Sequence, residues 1–278
     1  MIGYLGPVGT FTQAALQSFL DRGICKDDIE AFPSIYALFE ALAGKCIDNI
    51  FIPIENSRGG EVFAAFSGLN QLDDSYFISN EVVFPIKQSL MASQPCELSD
   101  IKIVYAHEQS TRQCNLFLHT YLSQAELVFV DSNGIAAERV RDSLDRVACL
   151  GYGGAASLFD LVVLKPNVHD DDDNKTRFVL ISSEQHSPSG MDKTSFVFST
   201  YKDKPGSLCN ILSLLSQESI NLTRISSKPT SSHLGEYLFF IDCDGHAMDP
   251  KLDNCLTLIK QECLYYKFLG SYPKGCVL

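Results

Sequence analysis

No stretch of this sequence approaches the ~18 consecutive apolar residues that a helix needs to cross a membrane. The start, Met1-Ile2-Gly3-Tyr4-Leu5, lacks the basic segment and long apolar core of a secretory leader, so a soluble, cytoplasmic protein with no membrane partner is expected. Ten cysteines are present but no C-x-x-C pair, and Cys149 sits inside an apolar run, Val147-Ala148-Cys149-Leu150. Reduced thiols that fill space are expected rather than a disulfide scaffold. The six histidines show no metal-ligand spacing, and neither G-x-x-x-x-G-K-[ST] nor G-x-G-x-x-G occurs. No metal or nucleotide cofactor is therefore expected. The acidic run Asp170–Asp173 lacks the spaced ligands and closing glutamate of a calcium loop and reads as a solvated loop. Basic residues are scarce, 22 against 34 acidic, and the net charge of -12 argues against nucleic acid or anionic membrane as a partner.

What is there is ample core. With 45% hydrophobic and 20% charged residues over 278 positions, the chain can build two or three domains. Ile2–Leu5, Ile29–Phe32 and Ile50–Ile54 read as strands, alternating with helices at Thr10–Leu20, Ile35–Ala43 and Glu61–Leu72. The rhythm resumes with strands at Ile101–Tyr105, Leu127–Val130 and Val147–Gly151, and helices at Arg112–Tyr121, Ile135–Leu144 and Ala155–Leu161. This order predicts an α/β fold with a largely parallel sheet and helices on both faces. Tyr76–Ala92 reads as one or two long crossing strands, and Leu161–Leu164 with Arg177–Ile181 closes the region. Two α/β lobes follow, approximately 1–75 with 162–181 and 76–161, with a cleft at their joint. Residues 182–193 are polar, with Pro and Gly, and read as a linker. From 194 to 278 the order is βαββαβ, the ferredoxin-like arrangement; its first helix carries Leu208, Ile211, Leu212 and Leu215 on one face.

Four strand-to-helix junctions end in small, hydroxyl or amide residues: Gly6–Thr12, Pro53–Gly60, Ala106–Ser110 and Asp131–Gly134. Each alone is explained by ordinary helix capping. Together they present free backbone N–H groups and the positive ends of helix dipoles, which suits a small polyanion. Glu55-Asn56-Ser57 stands at the carboxyl end of an apolar strand, and Arg177 offers a guanidinium able to grip a carboxylate with two hydrogen bonds.

Tyr4-Leu5-Gly6-Pro7 with Gly9-Thr10-Phe11-Thr12, Pro53–Ser57 with Gly60 and Val62, His107-x-Gln109 with Gln113-Cys114, and Thr176-Arg177-Phe178 resemble, in order, the motifs of the prephenate dehydratase family. Residues 194–278 resemble an ACT domain of the phenylalanine-binding kind, through Pro205-Gly206-Ser207-Leu208, Asn221-Leu222 and Ser226-Ser227-Lys228-Pro229. The resemblance implies a catalytic domain over 1–181, similar to type II periplasmic binding proteins and holding prephenate between its lobes. It implies decarboxylative dehydration of prephenate to phenylpyruvate, with phenylalanine as effector and a homodimer or homotetramer as the assembly. It further implies that Thr176 hydrogen-bonds the departing ring hydroxyl, with Glu55, Asn56 and Gln113 beside it. Thr10, Phe11, Ser57, His107, Ser132, Arg177 and Phe178 are implied to hold the substrate. The chain departs from the family pattern at Ala106, where a serine is usual, at Asn133-Gly134, where a Ser/Thr pair is usual, and at Ser226 and Lys228, where Glu and Arg are usual. Arogenate dehydration and a non-catalytic amino-acid sensor are the alternative readings.

Overall fold

The computed structural model describes residues 1–23, 28–143, 145–201, 205–229 and 237–275. Leu144, Cys25 and Cys276 lie outside the described residues. The chain divides into two compact units, Met1–Ala65 with Val82–Phe178, and Phe66–Glu81 with Val179–Cys276.

The first unit opens with β1 (Ile2–Leu5), α1 (Phe11–Leu20), β2 (Ile29–Phe32), α2 (Ile35–Ala43) and β3 (Asn49–Asn56). β1 pairs in parallel with both β2 and β3, Ile2 lying opposite Ile29 on one side and Asn49 on the other. Capping starts each helix where the strand ends. Thr10 accepts from the N–H of Gln13 at 3.4 Å, and Ser34 from that of Ala37 at 3.1 Å. Gly60 and Glu61 form a short β4 that folds back antiparallel on β3, with Glu61 opposite Glu55. α3 (Phe63–Gln71) and β5 (Phe77–Pro85) follow, and β11 (Lys175–Ser182) returns late in the chain to complete the sheet order β2-β1-β3-β11-β5; residues 66–81 and 179–182 of these elements belong to the second unit. Its core is aromatic: the Phe51 ring stacks on Phe178 at 5.3 Å and on Phe19 at 6.4 Å.

A second sheet in the same unit has the order β10-β6-β9-β7-β8. Its strands are β6 (Gln88–Ala92), β7 (Ile103–Ala106), β8 (Glu126–Phe129), β9 (Val147–Tyr152) and β10 (Val162–Lys165). Between them lie α4 (Glu108–Gln113), α5 (Asn115–Tyr121) and α6 (Asn133–Arg141), and a 3₁₀ segment, Gly153–Phe159, replaces the expected α-helix. β7, β8 and β9 are parallel, whereas β6 and β10 run antiparallel to their neighbours, so the sheet is mixed rather than largely parallel. Two lobe assignments are corrected by this pairing. β10, expected with the first lobe, hydrogen-bonds to β6, and β5, expected with the second, belongs to the first sheet. Hydrogen-bonded ladders, not chain order, decide membership. The helix expected at Arg112–Tyr121 is two helices, because Cys114 (φ -121°, ψ 23°) breaks the ladder between them.

In the second unit β12 (Asp192–Thr200), α7 (Ser207–Gln217), β13 (Leu222–Pro229), β14 (Tyr237–Asp244), α8 (Pro250–Glu262) and β15 (Cys263–Pro273) form the expected βαββαβ order. The sheet order is β13-β14-β12-β15, all neighbours antiparallel. Ile211 and Leu215 of α7 and Leu252, Cys255, Leu256 and Ile259 of α8 pack on Phe196, Phe198 and Ile241. Phe66–Glu81 clusters with this unit too. Phe66 packs edge-on against Phe240 at 5.0 Å, Arg224 lies over the Phe66 ring, and buried Glu81 accepts from Lys193 at 2.8 and 2.9 Å. No helix is long and apolar enough to cross a membrane among the described residues.

Candidate active site

The carboxyl end of β3 and the start of β11 bring Asn56 and Thr176 together. Asn56 Oδ1 accepts from the N–H groups of Arg58 at 3.0 Å and Gly59 at 2.6 Å, closing the turn into β4. That leaves its Nδ2 as donor, to Thr176 Oγ1 at 2.8 Å, Asn174 Oδ1 at 3.0 Å and the Lys175 carbonyl at 3.1 Å. Thr176 is buried, and its oxygen accepts from Asn56. A hydroxyl has one proton to give, and here it is left for a different acceptor.

From the second sheet, β6 and α4 present Gln88, Ser110 and Gln113, and the start of α6 presents Asn133. Gln88 Nε2 donates to Ser110 Oγ at 3.1 Å and Gln113 Oε1 at 2.9 Å. Ser110 Oγ donates to Asn133 Oδ1 at 2.9 Å, which also accepts from the His107 N–H at 3.4 Å. Asn56, Gln88, Gln113, Asn133 and Thr176 line a cavity of about 370 Å³, with Phe11, Ile86 and Phe178 as apolar wall. His107, Gln109 and Gln113 also line an adjoining cavity of about 640 Å³ that reaches Arg58, His169 and Asn174. Among the described residues, the buried atoms Gln88 Oε1, Asn174 Nδ2 and His169 Nδ1 have no hydrogen-bond partner.

Of the residues implied by sequence, Asn56, Gln113, Thr176, Phe11, His107 and Phe178 meet at this cavity. Five do not line it: Glu55, Arg177, Ser57, Ser132 and Thr10. Arg177 Nη1 donates to Glu55 Oε1 at 3.1 Å, so the guanidinium expected to grip a carboxylate is engaged by its strand neighbour. Ser57 Oγ accepts from the Lys175 N–H at 3.0 Å, and Ser132 caps α6 by accepting from Ile135 at 3.1 Å. Thr10 donates to the Pro7 carbonyl at 3.0 Å and lines a separate cavity of about 290 Å³. Gln88 and Asn174 carry no role in the sequence, and Ser110 enters only as the end of the Ala106–Ser110 junction. The available signal was a polar Gln88-Ser89 pair leading an otherwise apolar strand.

Gly134 has a steric reason to lack a side chain. A Cβ on Gly134 would stand 2.4 Å from the Val8 carbonyl oxygen, so the start of α6 reaches the β1–α1 loop only without a side chain. Cys114, between α4 and α5, and Cys149, on β9, are held as thiols by burial, which raises both and pushes Cys149 up to about 12.

In the second unit, Gly206 (φ 89°) takes the left-handed conformation as the N-cap of α7, and Pro205 and Gly206 are exposed. Leu208 and Leu222 pack against the same core cluster. Asn221 Nδ2 donates to Asp244 Oδ2 at 3.2 Å. Ser226, Ser227, Lys228 and Pro229 occupy the end of β13, where alternate residues are exposed.

Residues 2–186 match the family model for prephenate dehydratase, and residues 195–257 match that for the ACT domain. The bifunctional chorismate mutase/prephenate dehydratase of Pseudomonas aeruginosa is 36% identical over 274 residues, spanning 99% of this chain and 73% of that protein. The prephenate dehydratase of Mycobacterium tuberculosis is 32% identical over 282 residues, spanning 99% and 87%. The crystal structure of the Arthrobacter aurescens prephenate dehydratase in complex with L-Phe superposes with a TM-score of 0.89 at 32% identity, covering 98% of this chain and 90% of that one. The two mixed α/β sheets and the C-terminal βαββαβ order accord with these matches, and the chain belongs to the prephenate dehydratase family, with an ACT domain over residues 195–257.

Proposed function

We propose that this chain converts prephenate into phenylpyruvate. The observation that carries the reading is the Asn56–Thr176 hydrogen bond, which turns the Thr176 proton outward, where a departing hydroxyl can take a hydrogen bond from it. In the reaction the carbon–carbon bond to the ring carboxylate breaks and its electron pair enters the ring. The carbon–oxygen bond to the ring hydroxyl breaks, and that oxygen leaves as water after gaining one proton from solvent. Phenylpyruvate and carbon dioxide remain. Thr176 is too weak an acid to give up its proton outright, so its role is a donor bond that strengthens as charge builds on the leaving oxygen.

The carboxylates of prephenate are met by neutral donors. Gln113 spends its Oε1 on Gln88, and Asn133 spends its Oδ1 on Ser110 and His107, so each has an NH₂ to offer. Neutral donors hold a carboxylate without the strong ion pair that would stabilise it against losing carbon dioxide. Phe11, Ile86 and Phe178 give the ring an apolar wall. Glu55 and Arg177, paired to each other, serve the site from behind by joining the ends of β3 and β11.

In the same reading phenylalanine binds the C-terminal domain at Pro205–Leu208, Asn221-Leu222 and Ser226–Pro229 and lowers turnover; the Arthrobacter aurescens relative is described in complex with L-Phe. The protein acts in the cytoplasm as a homodimer or homotetramer. The test is prephenate consumption with phenylpyruvate appearing, run in chelator-treated buffer beside arogenate. Turnover of prephenate is expected, and its absence with folded protein overturns the reading.

A further inference from the structure

We infer that Gln88 is a positioning residue that sets the polarity of the amides offered to the substrate; this rests on the prephenate reading above. Gln88 lies at the start of β6, whose five residues are all buried. A primary amide has two protons, and Gln88 gives one to Gln113 Oε1 (2.9 Å) and one to Ser110 Oγ (3.1 Å). Because Gln113 receives a proton at its oxygen, its own NH₂ is the end left for the cavity. Because the Ser110 oxygen is occupied as acceptor, its hydroxyl proton goes to Asn133 Oδ1 (2.9 Å), and Asn133 likewise keeps its NH₂ available. One buried side chain thus commits two cavity-lining amides to the donor orientation that an anion requires.

The amide is retained at a cost. Gln88 Oε1 is buried without a hydrogen-bond partner among the described residues, and an orphaned acceptor destabilises the fold. A methionine of similar length would fill the space without that penalty. A purely structural role does not account for a glutamine here, whereas donation to two acceptors at once does.

Gln88→Glu reverses the logic. A carboxylate only accepts, so Gln113 turns its NH₂ inward and shows its carbonyl to the substrate, and Ser110 is drawn from Asn133. Steady-state kinetics on prephenate are expected to show KM raised at least ~10-fold for Gln88→Glu, with kcat lowered less. Gln88→Met, which frees the amides without inverting them, should raise KM by a smaller factor while keeping the melting temperature. In a Gln113→Met background the effect of Gln88→Glu should shrink several-fold, because part of the path has been removed. If the wild-type chain turns over prephenate while both Gln88 variants keep its KM, the inference is overturned. Full additivity of Gln88→Glu with Gln113→Met also overturns it. Should Gln88→Glu fail to fold, an unchanged KM in Gln88→Met is by itself enough to overturn it. A wild-type chain inert toward prephenate sinks the functional reading instead, so the two failures are told apart.

Discussion

Asn56 and Thr176, 120 residues apart in the chain, are joined by a hydrogen bond of 2.8 Å in which the amide is donor and the hydroxyl is acceptor. The direction matters more than the distance. It is fixed because Asn56 Oδ1 is already occupied by two backbone N–H groups of its own turn. A threonine hydroxyl so engaged can point its proton only at something else, and the cavity is beside it.

Thr176→Ala should therefore lower kcat by ~10²–10³ while KM moves little, as for loss of one donor to developing charge. Thr176→Ser keeps the hydroxyl and should retain most of the turnover. A loss under about tenfold for the alanine variant would remove Thr176 from this role.

Asn56→Asp tests the direction of the bond. A carboxylate accepts, so it draws the Thr176 proton to itself and leaves the leaving group without a donor. Turnover should fall about as far as in Thr176→Ala, that is by ~10²-fold or more. The double variant should be scarcely worse than either single one. Independent, additive losses would show that the two residues act separately.

Gly134→Ala places a methyl 2.4 Å from the Val8 carbonyl oxygen. Backbone must shift to admit it, and overpacking of this kind costs ~1–3 kcal/mol. The melting temperature should drop, and Gly134→Ser, which restores a hydroxyl common in the family, should drop it equally. An unchanged melting temperature would mean that the β1–α1 loop yields freely.

Alkaline pH should destabilise the fold through its buried thiols. Burial pushes the Cys149 thiol from 9.0 up to about 12, so the folded chain holds this proton more tightly than the unfolded chain does. The stability this contributes is complete below pH ~9 and is lost as pH rises toward about 12. Cys149→Ala should flatten the decline in melting temperature between those limits. A decline of the same slope in the variant assigns it to other groups.

Gly206→Val should weaken inhibition by phenylalanine without changing turnover in its absence. The position has φ 89°, a conformation that a β-branched residue adopts only under strain, and it caps α7 at the proposed effector site. The phenylalanine concentration for half inhibition is expected to rise at least ~10-fold, about 1.4 kcal/mol in binding. Unaltered inhibition in a folded variant would move the effector site away from Pro205–Leu208.

Much of this molecule is written in local pattern. Ile2–Leu5, Ile29–Phe32 and Ile35–Ala43 fall where apolar periodicity and the Ser34 cap place them, and the βαββαβ order from 192 onward follows from the spacing of its turns. Such elements are legible because burial of one face repeats with the period of the backbone. Asn56, Gln113 and Thr176 were legible through ordered motifs. Tertiary structure alone decided the rest. It set β10 in the second sheet and β5 in the first, because strand partners are chosen by ladders that close across long loops. It clustered Phe66–Glu81 with the C-terminal unit, where the Phe66 ring finds Phe240 and Glu81 finds Lys193. It paired Arg177 with Glu55, and it made Gln88, silent inside a buried strand, the donor that orients its neighbours. Apolar period is a property of consecutive residues, whereas the direction of a hydrogen bond depends on which acceptors the folded chain brings within about 3 Å.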